Sequence, residues 1–394
     1  MNLKLLFFPA VLICLMLGIH YAVFKSFMHF FQISRPQVKI LLYTAVAVLS
    51  FTFLTAFIAL LWRENPWTVA YYKFAAVWTG FIFHCLAAVA AAWLLLAAAR
   101  VTGAPVSAKT IASAALAIAI LGTGYGMWAA FHPVVRQVSV PVQNLPDSWK
   151  NTAIVHVSDL HLGLFHGKDF AARVVKQVNA LNPELVLITG DLLDGMGGAY
   201  AENVAPLDNL RAPHGVFFVT GNHEHYVGIE KSLEIIGKTP LRILDNQAVQ
   251  IDGLEILGVS YPGISDSAEI RHLPAQKKPG SVRIAMFHTP TEMAKNAGGM
   301  QQQHNANYWR PDTAYDLNQK LDIDLQLSGH THHGQVFPVN LLTRMLYRGR
   351  DYGLSKINGL YLYTSCGAGS WGPPMRTTGR PEIAVIRLVE KAPE

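Results

Sequence analysis

Cysteine is nearly missing from this chain: three residues in 394, at positions 14, 85 and 366. No two stand at a CxxC spacing, which excludes a disulfide framework and a thiolate metal knuckle. Charge is scarce as well. Only 15% of the residues are charged and 51% are hydrophobic, where a soluble domain carries roughly a quarter charged. The shortage is sharpest for acids in the first third. Residues 1–135 hold eight Lys and Arg but a single acid, Glu64. The remaining 259 residues hold 24 bases and 25 acids, so the overall +6 resides in the first part. A near-neutral second part gives no support to a basic nucleic-acid groove, and nucleic acid is not an expected partner.

What fills the charge-poor part is apolar sequence. Leu5–Phe24, Ile40–Trp62, Phe74–Ala99 and Ile111–Phe131 are each long enough to cross roughly 30 Å of hydrocarbon as a helix. Trp62, Trp67, Tyr71 and Tyr72 gather at the second connection, as an interfacial aromatic belt does. The first run could open a signal peptide, but three further runs follow and no small-x-small cleavage site stands after it. The expectation is a four-span α-helical transmembrane anchor over 1–135, with the lipid bilayer as a partner. The loops after the first and third spans carry Lys25, Arg35, Lys39, Arg100 and Lys109; the opposite side carries Lys4, Arg63, Lys73 and Arg136. Five bases against four place those two loops in the cytoplasm and the second half outside it. His84 falls inside the third span. A neutral imidazole bonded to a neighbouring helix is expected there, with a proton relay as the alternative.

Residues 136–150, with Pro141 and Pro146, read as an extended linker or first edge strand. From 151 to 394 short apolar runs alternate with helical patterns. Phe170, Val174, Val178 and Leu181 recur at helical spacing before Pro183. Glu202–Leu210 and Gly228–Gly237 suggest further helices, and the later part is strand after strand. Such an order suggests two packed sheets flanked by helices. Glu292–Leu321, with its Gln run, His304 and Trp309, has little periodicity and suits either a lid or an insertion.

Five of the apolar runs end in the same chemistry. Asp159 and His161 follow AIVHVS, Asp191 follows LVLIT, Asn222 and His223 follow GVFFVT, His288 follows VRIAMF, and His330 and His332 follow IDLQLS. In α/β sheets, ligands collect at the carboxyl ends of strands. Each motif alone is weak: Asp-x-His is common by chance, and a lone His is more often a packed one. Gly-His-Thr-His is stronger, because a non-helical i, i+2 pair has few packing reasons. All five in series point to a site. Asp159, His161, Asp191, Asn222, His288, His330 and His332 offer carboxylate, amide and imidazole donors with no thiolate. That set suits Zn, Mn or Fe, and seven donors suit two ions sharing a carboxylate bridge better than one tetrahedral ion.

D-x-H, G-D-x-x-D, G-N-H-E, a lone H and G-H-x-H, in that order, resemble the calcineurin-like metallophosphoesterases over Asn151–Leu388. LSGHTHHGQVFP and SCGAGSWGPPMR look like the membrane-linked bacterial branch, from which His333 departs, since a small residue is frequent there. The resemblance implies a four-layer α/β/β/α sandwich and a bacterial inner-membrane enzyme. It implies two divalent metal ions: Asp159, His161, Asp191 and His332 on the first; Asp191 as bridge, Asn222, His288 and His330 on the second. A hydroxide held between the metals would attack a phosphoester, with His223 as general acid. Asp194 is the family's matching position for a carboxylate that orients that imidazole. Glu224 is expected to point away and brace its turn. His166, His225 and His333 either line the pocket or lie on the surface, and Arg376 meets a phosphate or an ion-pair partner. Tethering to the bilayer favours lipid-linked phosphates or pyrophosphates, with soluble phosphodiesters open; a sensor without turnover and a nuclease are the alternatives.

Overall fold

In the computed structural model, described for residues 3–274, 277–295 and 309–391, four long helices come first. They are α1 (Leu3–Phe30), α2 (Pro36–Trp62), α3 (Pro66–Thr102) and α4 (Ala108–Ala130). All four are long and apolar enough to cross a membrane, and each expected span falls on one of them. Local chemistry sets the ends. The Asn65 side chain accepts from the backbone N–H of Trp67 and Thr68, and the Thr68 hydroxyl accepts from Asn65 N–H, a reciprocal cap with Pro66 in the first turn. Gly103, left-handed at φ 71°, closes the other end of α3. His84 on α3 bonds Thr123 of α4 at 2.9 Å through Nδ1 and Thr377 at 3.0 Å through Nε2. It is a bonded interhelical imidazole. Two short downstream segments, Val336–Pro338 and Gly372–Thr377, group with these helices, and Arg376 N–H donates to the Gly126 carbonyl.

The second unit is an α/β sandwich. Its elements in order are β1 (Val134–Val142), β2 (Ile154–Val157), α5 (Lys168–Ala180), β3 (Leu185–Thr189), α6 (Tyr200–Val204), β4 (Val216–Val219), α7 (Asn222–Val227) and α8 (Ile229–Ile236). Then come β5 (Arg242–Ile243), β6 (Gln247–Ile251), β7 (Leu254–Val259), β8 (Val282–Phe287), α9 (Asp316–Lys320) and β9 (Leu325–Ser328). The last are α10 (Val339–Leu346), β10 (Gly353–Ile357), β11 (Leu360–Thr364) and β12 (Glu382–Glu390). One sheet runs β1-β12-β2-β3-β4-β5 and the other β10-β11-β9-β8-β7-β6.

Alternation along the strands builds the layers. Ile154, Leu187 and Phe217 meet Ile256, Ile284 and Leu327 between the two sheets. Val155, Ile188 and Phe218 face the other way, onto Phe170, Val174 and Val178 of α5 and Ile236 of α8. Ala285 and Phe287 of the second sheet pack on Leu317 and Leu321 beside α9. Three apolar interlayers make four layers, the expected sandwich. β2, β3 and β4 run parallel, as do β8 and β9, so their carboxyl ends open in common directions.

Some local expectations shift. The helix expected over Glu202–Leu210 is α6 followed by a 3-10 turn over Ala205–Asn209, since Pro206 lacks the N–H an α-helix needs. The turn after β4 is the short helix α7, capped by Gly221. In the irregular stretch after His288, α9 is an added helix, and Glu292 ties the segment down by accepting from the N–H of Ala294 and Leu317. Residues 296–308, including His304, lie outside the described residues.

Candidate metal centre

The loops that follow β2, β3, β4, β8 and β9 meet at one place. His161 Nε2 and His332 Nε2 are 3.0 Å apart, with Asp159 Oδ1 3.4 Å from His332 and 3.9 Å from His161. Beside them, Asn222 Oδ1 lies 2.9 Å from His330 Nδ1 and 3.1 Å from His288 Nε2, and those two nitrogens are 3.2 Å apart. Asp191 Oδ2 faces both groups, 3.1 Å from His288 Nε2 and 3.7 Å from His161 Nε2. All seven expected donors are thus brought together, and all are buried. Donor atoms around an ion with bonds of roughly 2.0–2.2 Å sit about 3 Å from one another. The donor set and its spacing fit divalent cations: Asp159, His161 and His332 form one group, Asp191, His288 and His330 another, and His161 is shared with a third group of Asp194 and His223.

The backbone is bent to achieve this. Asp159, His161, Asp191, His330 and His332 all have positive φ, between 47° and 72°, a region L-residues enter at a cost and that clusters at functional sites. Two glycines permit the close approach. A Cβ on Gly329 would sit 2.1 Å from Asp159 Oδ2, and one on Gly221 would sit 2.2 Å from Asp191 Oδ1. Glu224, expected only to brace its own turn, does more. Its fully buried carboxylate accepts from Gly221 N–H at 2.7 Å and also from the N–H groups of Asp191, Leu192 and Leu193 at 2.9–3.1 Å. It ties the β3 loop to the β4 loop. The pattern Gly-Asn-His-Glu held that signal only as a reciprocal cap at the third helical position.

Outer partners set the tautomers. His288 Nδ1 is 2.8 Å from the Thr189 carbonyl, so Nδ1–H donates there and Nε2 is the nitrogen turned to the site. His223 Nδ1 lies 2.5 Å from the Asp194 carbonyl, leaving Nε2 towards Asp191 Oδ2 at 4.0 Å. Asp194 therefore meets His223 through its backbone, while its carboxylate sits 3.6 Å from His161 Nδ1. Charge is finely opposed. Burial pushes the Asp191 carboxyl up, but the imidazoles of His288, His223 and His161 hold it well below the usual range. Burial pulls His288 down, and the carboxylates of Asp191 and Asp159 outweigh it, lifting the imidazole to about 9. Burial lifts Asp194 to about 7 and pulls His223 down to about 4.

His166, His225 and His333 find partners outside the donor set. His166 is a core residue, bonded to Ser370 and packed between Phe131 and Phe170. His225 bonds the Tyr261 carbonyl. His333 bonds Asp351 at 2.9 Å and stacks near Tyr352. Arg376 is buried within the segment that groups with the helices. Two aromatics flank His223 that sequence patterns did not single out: Tyr226 at 4.8 Å and the half-exposed Trp371 at 5.8 Å between ring centroids. Gln335 pins Trp371 by bonds to its backbone N–H and carbonyl.

Carboxylates and imidazoles thus converge at the strand ends of a two-sheet sandwich, an arrangement suited to holding divalent metal ions. The family model for calcineurin-like phosphoesterases matches residues 152–334. An uncharacterised metallophosphoesterase of Helicobacter pylori is 32% identical over 68% of this chain and 68% of its own length. A transmembrane protein with a metallophosphoesterase domain from Danio rerio is 31% identical over 78% of this chain and 69% of its own. A protein of the same description from Bos taurus is 32% identical over 67% of this chain and 59% of its own. The chain belongs to the calcineurin-like phosphoesterase family and is an integral membrane protein, its phosphoesterase domain joined to four apolar helices.

Proposed function

We propose that this protein hydrolyses a phosphoester at a two-metal centre. Asp159, His161, Asp191 and His332 would hold one divalent cation, and Asp191, Asn222, His288 and His330 the other. The observation that carries this is the single Asp191 oxygen placed within 4 Å of both imidazole groups. When bound, the two cations would activate water and neutralise the phosphoryl oxygens. The chain's own residues do the rest. The N–H groups of His330 and His223 donate to the Asp159 and Asp191 carboxylates, Glu224 braces the Asp191 backbone, and the Thr189 carbonyl holds His288 Nδ1. His223, held by the Asp194 carbonyl, turns Nε2 to the site as proton donor to the departing alkoxide. A phosphoryl group is the anion that would lift its imidazole from about 4 towards a protonated state.

The functional division of the chain is an anchor (1–135), a connecting stretch (136–150) whose first part is the edge strand β1 of the sandwich, and the catalytic part (151–394). The substrates that fit a catalytic part tied to a bilayer are lipid-linked phosphates or pyrophosphates, ahead of soluble phosphodiesters. The location is a bacterial inner membrane, and the balance of Lys and Arg between loops supports an orientation with the catalytic part outside the cytoplasm. The test is turnover of a phosphoester panel, lipid phosphates in micelles included, by the purified full chain supplied with Mn, Zn or Fe separately. Asp191→Asn should lose bound metal and lower turnover by more than about 100-fold, beyond the range of indirect ligand supports. An Asp191→Asn enzyme that keeps its rate refutes the assignment.

A further inference from the structure

α10 carries apolar side chains on both sides. In a water-soluble domain a short amphipathic helix turns its apolar stripe inward and its polar side out. Here Val339 and Leu346 are half-buried on the inward side, where the Thr343 hydroxyl donates to the buried Asp351 Oδ2 at 3.1 Å. Tyr347, just past the helix, is buried on that side. The outward side carries Leu341, Leu342 and Met345, which are 60%, 44% and 69% exposed. They stand at i, i+1 and i+4, one contiguous stripe on a helical surface. None of the eight residues of α10 is buried.

Three facts select the occupant of that stripe. First, the same chain carries four helices long and apolar enough to span a bilayer. Second, Val336–Pro338, the three residues immediately before α10, group with those helices, so α10 starts where a membrane-associated segment ends. Third, the charges bordering the stripe are of one sign. Arg344 and Arg348 are exposed, and from Val336 to Arg350 there is no acid. Apolar side chains rimmed by arginines that can reach up to phosphates are the make-up of a helix lying in a membrane interface.

We propose that α10 is a second, monotopic membrane contact. Leu341, Leu342 and Met345 enter the headgroup–acyl boundary, and Arg344 and Arg348 meet lipid phosphates. This rests on exposure, charge and chain continuity, and stands or falls independently of the hydrolase assignment. Gln335, four residues before α10, pins Trp371, and Trp371 flanks His223.

The test is site-directed spin labelling of the full chain in vesicles of phosphatidylethanolamine and phosphatidylglycerol, with Cys14→Ser removing the exposed native thiol. Single labels replace Leu341, Leu342 or Met345, and a control label replaces the exposed Lys238. The expected result is collision with dissolved oxygen severalfold above collision with a water-soluble nickel chelate at 341, 342 and 345, and the reverse at 238. In a Leu341→Glu, Leu342→Glu double variant the label at 345 should turn to water while the one at 238 is unchanged. Free access of the nickel chelate to all three stripe positions would overturn the proposal. So would shielding from both reagents together with dipolar broadening between labels, which would make the occupant a second copy of the chain.

Discussion

His223 and His156 are both imidazoles pulled down by burial, and they are predicted to behave in opposite ways. His223 has an outlet. Its Nε2 faces the donor cluster, and Tyr226 and Trp371 hold the ring on either side. His223→Ala should therefore keep its metal, as measured by elemental analysis, while losing roughly 10²–10⁴ in rate on esters with poor leaving groups. On a nitrophenyl ester, whose leaving group needs no proton, the loss should be much smaller; equal losses on both would remove the acid role. His156 has no outlet. It lies in β2, fully buried, with Nε2 bonded to Thr189 at 2.7 Å and its ring edge-on to Tyr363. Burial holds it neutral down to about 3, whereas an unfolded imidazole takes up a proton near 6.5. Its contribution is thus complete above about pH 6.5 and is lost as pH falls from there towards 3. Between pH 6.5 and pH 5 that amounts to about 2 kcal/mol. Thermal midpoints at pH 7 and pH 5 should converge in His156→Phe relative to the unaltered protein, and an identical acid shift in both would contradict the account.

Among the elements, the loops after β3 and β4 act as one part because Glu224 joins them. A carboxylate accepts four N–H groups there, bonds worth about 1.5–3 kcal/mol each when the acceptor is charged. In Glu224→Gln one oxygen becomes an NH₂ group that faces donors. Metal titration followed by thermal shift should show affinity lower by roughly 10–100-fold, and unchanged affinity would mean the brace is dispensable. The sequence made much of this level legible. Donors at the ends of five apolar runs could be seen because strand-end placement is a matter of order along the chain, and α5 could be seen from its period. The long-range partner of Glu224 could not, since nothing local links residue 224 to 191–193. Nor could α10, whose Leu341 and Leu342 face outward against the usual pattern. Asp194 shows the finest limit: its position was legible, but whether carbonyl or carboxylate meets His223 depends on a turn the sequence does not spell out.

Over the whole molecule, an anchor carrying all of the net positive charge is joined to a near-neutral phosphoesterase domain. With four spans both ends lie on one side, and in the proposed orientation that side is outside the cytoplasm. Protease added to spheroplasts should therefore cut within 151–394 while permeabilisation adds little further cleavage there. Protection until permeabilisation would reverse the orientation and move the substrate pool to the cytoplasmic leaflet.

The edge strand β1 has only β12 beside it in its sheet, paired in parallel from Val134↔Glu382 to Val142↔Glu390. On the ribosome, β1 emerges directly behind the last membrane helix and must wait for a partner that begins 240 residues after it ends. At about 5–20 residues per second, that leaves a bare hydrogen-bonding edge exposed for roughly 10–50 seconds of every synthesis. A nascent chain of this design has to be shielded by the translocation machinery or a chaperone until its final strand arrives.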